Sequence, residues 1–277
     1  MIQRAYLEAW AVPTSHVRVW DKHDESVRVR GLNQATVVDR YNHPEYIEQG
    51  FWVAERDVEV IGRWATATSA EALRETDTAA LSRWITMAIL RHRFAGFAGQ
   101  SEINAVLLMK DGSTRRGTGS DGIAIQKMLA DAAHDGVPTR AGTPVDGQPP
   151  VVDLSMWEHI AVVPIHDGSL ITGDAMVDLI LGPDGRRAGA VGLLLPLSPS
   201  RLLIGARYGN EFQFDDLRVD TMDVTDPNDP AFLSWVRRLA DLSNVHVAGA
   251  SRRFVVSTPD SEVLGASAGP LSDSRLP

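Results

Sequence analysis

The sequence predicts an α+β protein: a helical N-terminal half carrying one β-hairpin, with a strand-rich C-terminal half packed on it. Three observations lead there. Between residues 45 and 95 apolar residues recur at intervals of three and four. Over residues 17–30 they alternate with period two, and from 160 to 206 short runs of Val, Ile and Leu follow one another between turn residues.

Gln3 to Trp10 sets Ala5, Tyr6, Ala9 and Trp10 at helical spacing, a short opening helix. Val17-Arg18-Val19-Trp20 and Val27-Arg28-Val29-Arg30 flank the polar stretch His23-Asp24-Glu25-Ser26, which predicts a hairpin. From Glu45 to Ala65, the positions Ile47, Phe51, Ala54, Val58, Ile61 and Ala65 form the stripe of a core-packed helix, with Glu48, Glu55 and Glu59 on its flank. A second helix is predicted over Thr78 to Phe94, capped by Thr76 or Asp77, with Leu81, Trp84, Ile85, Ala88 and Ala95 inward. Arg91 and His92 fall inside that apolar arc, where a polar group needs a partner. Lys110 to Gly122 reads as a glycine-rich polar loop between helices, Ile123 to Ala133 as a helix, and Pro138 to Pro150 as a loop.

In the second half Ile160 to Val163, Ser169 to Thr172, Val177 to Leu181, Ala190 to Leu195 and Arg201 to Ala206 read as strands, with Pro183-Asp184-Gly185 as a turn. Pro230 to Leu242 reads as a helix capped by Asp229, with Phe232, Trp235, Val236 and Leu239 inward, and Asn244 to Val256 as a further short helix or strand. Beyond Ser257 the chain turns to Ser, Ala, Gly, Pro and Asp, the composition of a disordered tail over 258–277. The expected organisation is one α+β domain over 1–257, with the 138–150 loop as its one candidate sub-boundary.

Composition narrows the chemistry. With no cysteine there is no disulfide, thiolate metal site or cysteine nucleophile. A net charge of −9, from 27 basic and 36 acidic residues, argues against generic binding to nucleic acid or anionic membrane. No apolar run approaches the length of a membrane span, and no basic segment followed by an apolar one opens the chain. The expectation is a cytoplasmic protein with no membrane partner.

Gly173-Asp174 closes a strand, which lets the backbone turn while leaving a carboxylate at the sheet rim. Glu48, Glu55 and Glu59 with Asp174 could supply the oxygen ligands of Mg²⁺ or Mn²⁺. Glu59 stands four residues before Arg63 and reads as a solvated helix pair, which leaves Glu48, Glu55 and Asp174 as the metal set. Arg91 has two readings, a ligand-binding guanidinium or an internal partner for Glu55. His166-Asp167 offers an imidazole as acid–base partner for Asp174, against the ordinary reading of a turn histidine. Ser198 and Ser200 lack the Gly-x-Ser-x-Gly elbow, and the glycines around Arg115-Arg116 lack phosphate-loop spacing.

In order, these pieces resemble an uncharacterised bacterial family, domain of unknown function 4238. Gln3-Arg4-Ala5-Tyr6-Leu7-Glu8-Ala9-Trp10 looks like its opening segment; Gln3 stands where the family has Pro, and the family's usual His would fall one residue before Met1. Trp20-Asp21-Lys22, the helix with Glu48 and Glu55, and the helix reaching Arg91 look like its next blocks. Ile171-Thr172-Gly173-Asp174-Ala175-Met176 resembles its Ile-Thr-Ser-Asp-Asn-Pro run, Pro196-Leu197-Ser198-Pro199 matches, and Asn244 with Ala250-Ser251-Arg252-Arg253-Phe254-Val255 resembles its terminal block. The family's polar signature then falls on Glu48, Glu55, Arg91, Asp174 and Asn244.

Together these readings give a metal-assisted hydrolase or nuclease acting on a phosphorylated or nucleic-acid substrate. Asp174, Glu55 and Arg91 would be catalytic, Thr172 and Asn244 would bind substrate, and Glu48, Glu55 and Asp174 would hold Mg²⁺ or Mn²⁺. The alternative is a non-catalytic ligand-binding or protein-interaction module in which Asp174 caps a turn and Glu55 with Arg91 is an internal strut.

Overall fold

The computed structural model describes residues 4–35, 59–66, helical residues between 78 and 92, strands between 103 and 142, and then 159–166, 169–181, 190–206, two short strands within 213–218, and 229–262. The chain opens with helix α1 (Arg4–Leu7), continued by a 3₁₀ turn over Glu8–Trp10. Strands β1 (His16–Asp21) and β2 (Ser26–Gly31) form the predicted hairpin, turning at Glu25 with φ of 49°. Helix α2 (Glu59–Thr66) buries Val60, Ile61 and Trp64.

The N-terminal half departs from the helical half that the sequence predicts. Strands β3 (Ile103–Leu108), β4 (Thr114–Gly119) and β5 (Arg140–Gly142) form an antiparallel sheet in the order β4-β3-β5. The glycine-rich segment expected as a loop between helices is therefore half of a hairpin, and the 138–150 loop contributes a strand. Glycine lowers strand propensity, but an Asp-Gly pair between an apolar run and a Thr-containing run is itself a hairpin signal, and here it outweighs the glycines. Residues 123–133, 183–185 and 263–277 lie outside the described residues.

Eight strands follow: β6 (His159–Pro164), β7 (Thr172–Gly173), β8 (Asp178–Leu181), β9 (Ala190–Ser198), β10 (Arg201–Ala206), β11 (Gln213–Phe214), β12 (Leu217–Arg218) and β13 (Phe254–Ser257). Two four-stranded antiparallel sheets hold most of the core, in the orders β2-β1-β13-β7 and β6-β10-β9-β8. The longest described helix, α3 (Pro230–Ala250), lies in this second half. Pro230 fixes its first turn and Asp229 caps it, the carboxylate accepting the Ala231 N–H at 2.8 Å. Helix α3 runs past Leu242 because Ser243, Val247 and Ala248 continue its buried stripe at steps of four and one, so the short second element expected after Asn244 is the end of α3 followed by β13.

The β9 sequence is a continuous apolar run because both of its faces are covered. Leu193, Leu195 and Leu197 meet the main core, built from Tyr6, Trp10, Val17, Val19, Trp64, Leu81, Trp84, Phe254 and Val256. Leu194 faces the other way, with Leu202 and Ile204, onto Val236, Leu239 and Ala240 of α3. The last turns of α3 cover the first sheet instead, Val247 and Ala248 packing on Ile171, Val255 and Trp20. One helix thus spans both sheets, and its C-terminal corner, residues 248–253, brings the polar groups of the next section together.

Candidate functional site

Asp174 follows β7 and meets that corner directly. Its two carboxylate oxygens accept the backbone N–H groups of Arg252 and Arg253, each at 2.9 Å. Its own N–H donates to the Phe254 carbonyl at 3.0 Å. The approach is close because residue 173 is glycine: a Cβ there would stand 2.1 Å from Ser251 Oγ and 2.9 Å from the Phe254 oxygen. Ser251 Oγ in turn accepts the Ala175 N–H at 3.3 Å.

Two basic side chains lie beside this carboxylate. Lys22, just past β1, donates its ammonium to the Ala248 carbonyl and, at 2.5 Å, to the Ser251 carbonyl, capping the exposed carbonyls of α3. Burial lowers the Lys22 pKa and the Asp174 charge acts against that shift. His92, a helical residue, approaches with its ring donating to the backbone carbonyl of Asp174. Burial holds its imidazole below the ordinary range, the Asp174 carboxylate pulls it back up and Arg252 pushes it further down.

A second carboxylate lies one layer deeper. Asp21, 1% exposed, accepts from Arg253 Nε at 3.2 Å and Nη2 at 3.2 Å, and from the His23 N–H at 3.2 Å, with Arg30 Nη2 at 3.8 Å. Arg253 is therefore held twice, its backbone by Asp174 and its guanidinium by Asp21. Such a buried charge is tolerated only when it is paired and hydrogen-bonded.

The two residues expected to bind substrate are also bonded internally. Thr172 is fully buried, and its hydroxyl lies 2.9 Å from the Tyr6 hydroxyl, which itself donates to the Pro196 carbonyl. With the Tyr6 proton so committed, Thr172 is the donor to Tyr6. Burial raises the Tyr6 pKa, against the opposing effect of the Thr172 bond. Asn244, on α3, accepts the Ile171 N–H through Oδ1 at 2.9 Å and donates through Nδ2 to the Ser169 carbonyl at 2.9 Å, so one amide bonds the backbone as a neighbouring strand would.

Of the predicted set, Asp174, Thr172 and Asn244 come together along residues 169–174, on the rim between α3 and the first sheet. Glu48, Glu55 and Arg91 lie outside the described residues. His166 is exposed in a turn, and the imidazole that meets Asp174 is His92. Its inward position on the helical wheel carries that signal, but the wheel alone does not name the partner. Sequence reasoning does not single out Lys22, Asp21 or Arg253 as site residues. Asp21 is readable in principle, since it shares a strand face with Val17 and Val19 and so points at the core.

Among the described residues no group of three or more His, Cys, Asp or Glu side chains is placed to hold a metal ion, and no helix is long and apolar enough to cross a membrane. No known protein family, curated protein or solved structure matches the chain.

Proposed function

We propose that the chain is a non-catalytic ligand-binding or protein-interaction module in which Asp174, Thr172 and Asn244 hold the scaffold together. The observation that carries this is the double engagement of Asp174, whose two oxygens each take a backbone N–H of the 252–253 corner. Metal ligation would compete with those bonds for lone pairs. In this reading the acid supplies the turn cap that the two backbone donors require.

The metal-assisted hydrolase is the second reading, favoured by two basic groups with shifted pKa values, Lys22 and His92, beside a half-buried carboxylate. Mg²⁺ or Mn²⁺ would then sit against Asp174, with Glu48, Glu55 and Arg91 completing a site for a phosphorylated or nucleic-acid substrate. Membership of the uncharacterised bacterial family and a cytoplasmic location belong to both readings and rest on the sequence motifs and composition alone.

Thermal unfolding of the wild type and of Asp174→Ala, with and without saturating Mn²⁺ or Mg²⁺, separates the two. The module predicts no metal-dependent shift in either protein, and a variant less stable by about 1 to 2 kcal/mol because one exposed and one part-buried donor lose a charged acceptor. A site metal at about a hundred times its dissociation constant adds roughly 2.7 kcal/mol to the wild type alone. That result would overturn the module.

A further inference from the structure

Among the described residues no strand pairs with the outer side of β2, and the ladder shows which of its groups face outward. In an antiparallel pair, alternate residues bond to alternate sides. The Leu32 N–H donates to the Ser15 carbonyl, and the Lys22 N–H donates to the Arg253 carbonyl. Stepping by two from these bonds, Val17, Val19 and Asp21 pair with β2 through Arg30, Arg28 and Ser26, while Arg18 and Trp20 bond to β13. The N–H and C=O groups of Val27, Val29 and Gly31 therefore point away from the sheet. Val27 and Val29 are also exposed, 41% and 54%, and the strand contains no proline or lysine that would guard an edge.

Charge selects among occupants. Arg28 is exposed and makes no ion pair among the described residues, while Arg30 is half-buried and partly committed to Asp21. If a second copy paired with its own β2 through the outward groups, the registers centred on the strand would set Arg28 opposite Arg28 or Arg30 of that copy, like charges that destabilise a ladder. A strand with acids at those positions and apolar residues opposite Val27 and Val29 matches both faces.

We propose that β2 is a docking edge for an extended peptide segment of alternating acidic and apolar residues, added antiparallel through Val27, Val29 and Gly31. This rests on the module reading and names the partner class for it. Backbone bonds would supply affinity, and Arg28 would supply selectivity.

The test is fluorescence anisotropy with two labelled, end-capped peptides of about eight residues, one alternating Val and Glu and one alternating Val and Lys, long enough to cover the strand. The wild type should bind the Glu peptide, more weakly as salt rises, and bind the Lys peptide at least about fivefold less tightly. Val29→Pro removes one outward donor without touching the β1 ladder and should abolish binding with the circular dichroism spectrum unchanged. Arg28→Glu, on an exposed side chain, should reverse the peptide preference, and serves as the deciding variant if Val29→Pro does not fold. Equal binding of both peptides, retention in a folded Val29→Pro, or no reversal in Arg28→Glu would each overturn the proposal. So would a wild-type dimer in sedimentation that Val29→Pro converts to monomer, because a second copy would then occupy the edge. Failure here leaves the module reading standing, whereas a metal-dependent shift that requires Asp174 removes that reading whatever the peptides do.

Discussion

Single side chains at the 248–253 corner carry more than their sequence context suggests, and His92 is the one whose behaviour is most directly measurable. Burial lowers its pKa from 6.5 in the folded state. As pH falls through 6.5 the unfolded chain takes up a proton that the native chain refuses, so stability must drop on the acid side. The contribution is whole above the unfolded value, declines as pH falls toward the lowered native value, and levels off below it. Subtracting the melting-temperature profile of His92→Gln from that of the wild type between about pH 8 and 5 should isolate this step, since a neutral amide keeps a donor for the Asp174 carbonyl but cannot titrate. Parallel profiles would mean that His92 is not buried against Asp174. At this scale the sequence is partly legible. The inward face of His92 and the core-facing parity of Asp21 follow from periodicity, but the partners of both lie far along the chain, where spacing carries no information.

At the scale of elements, the legible pieces are those with a clean local period. The β1–β2 hairpin alternates and turns where expected, and β10 spans Arg201–Ala206 as its apolar run predicts. Two kinds of element are not legible. The β3–β4 hairpin is hidden by glycines that read as loop, and the length of α3 is hidden because Asn244 looks like the start of something new when it is a helical residue whose amide bonds a neighbouring segment. Strand β7 shows why so short an element persists. It pairs with β13 at Thr172↔Val256 and Gly173↔Val255, and its pairing depends on the absence of a side chain at 173. Gly173→Ala should therefore destabilise by about 2 kcal/mol or more, since an added methyl forces backbone to move. Ser251→Ala in the same chain should recover only part of that loss, because the Phe254 carbonyl, 2.9 Å from where the new Cβ would stand, is backbone and remains. Urea titrations of the wild type and these two variants check both the loss and the partial recovery. Full recovery would show that the serine hydroxyl alone limits the approach.

Across the whole molecule, closure depends on one late strand. β13 lies between β1 and β7, so residues 254–257 join a hairpin at the chain's start to a segment near residue 172. The same stretch supplies Phe254 and Val256 to the main core and Val255 to the patch under α3. Arg253 adds the only described ion pair between Asp21 and this end of the chain, and Asp174 fixes the turn that starts the strand. No local pattern announces such an arrangement, because β13 pairs with a strand near the opposite end of the chain and sequence periodicity reports only on neighbours. The consequence is that losing this end should not cost a tail's worth of stability but the fold itself. A chain ending at Ala250 keeps all of α3 yet leaves β1 and β7 with unpaired inner edges, the buried residues of β13 missing from two cores, and Asp21 and Asp174 without their Arg252 and Arg253 donors. Such a chain should show no cooperative thermal transition and should bind a hydrophobic dye, whereas Arg253→Ala alone should lower the melting temperature while leaving a single sharp transition. A cooperative transition in the shortened chain would show that the second sheet with α3 folds independently, and that β13 joins two units and does not complete one.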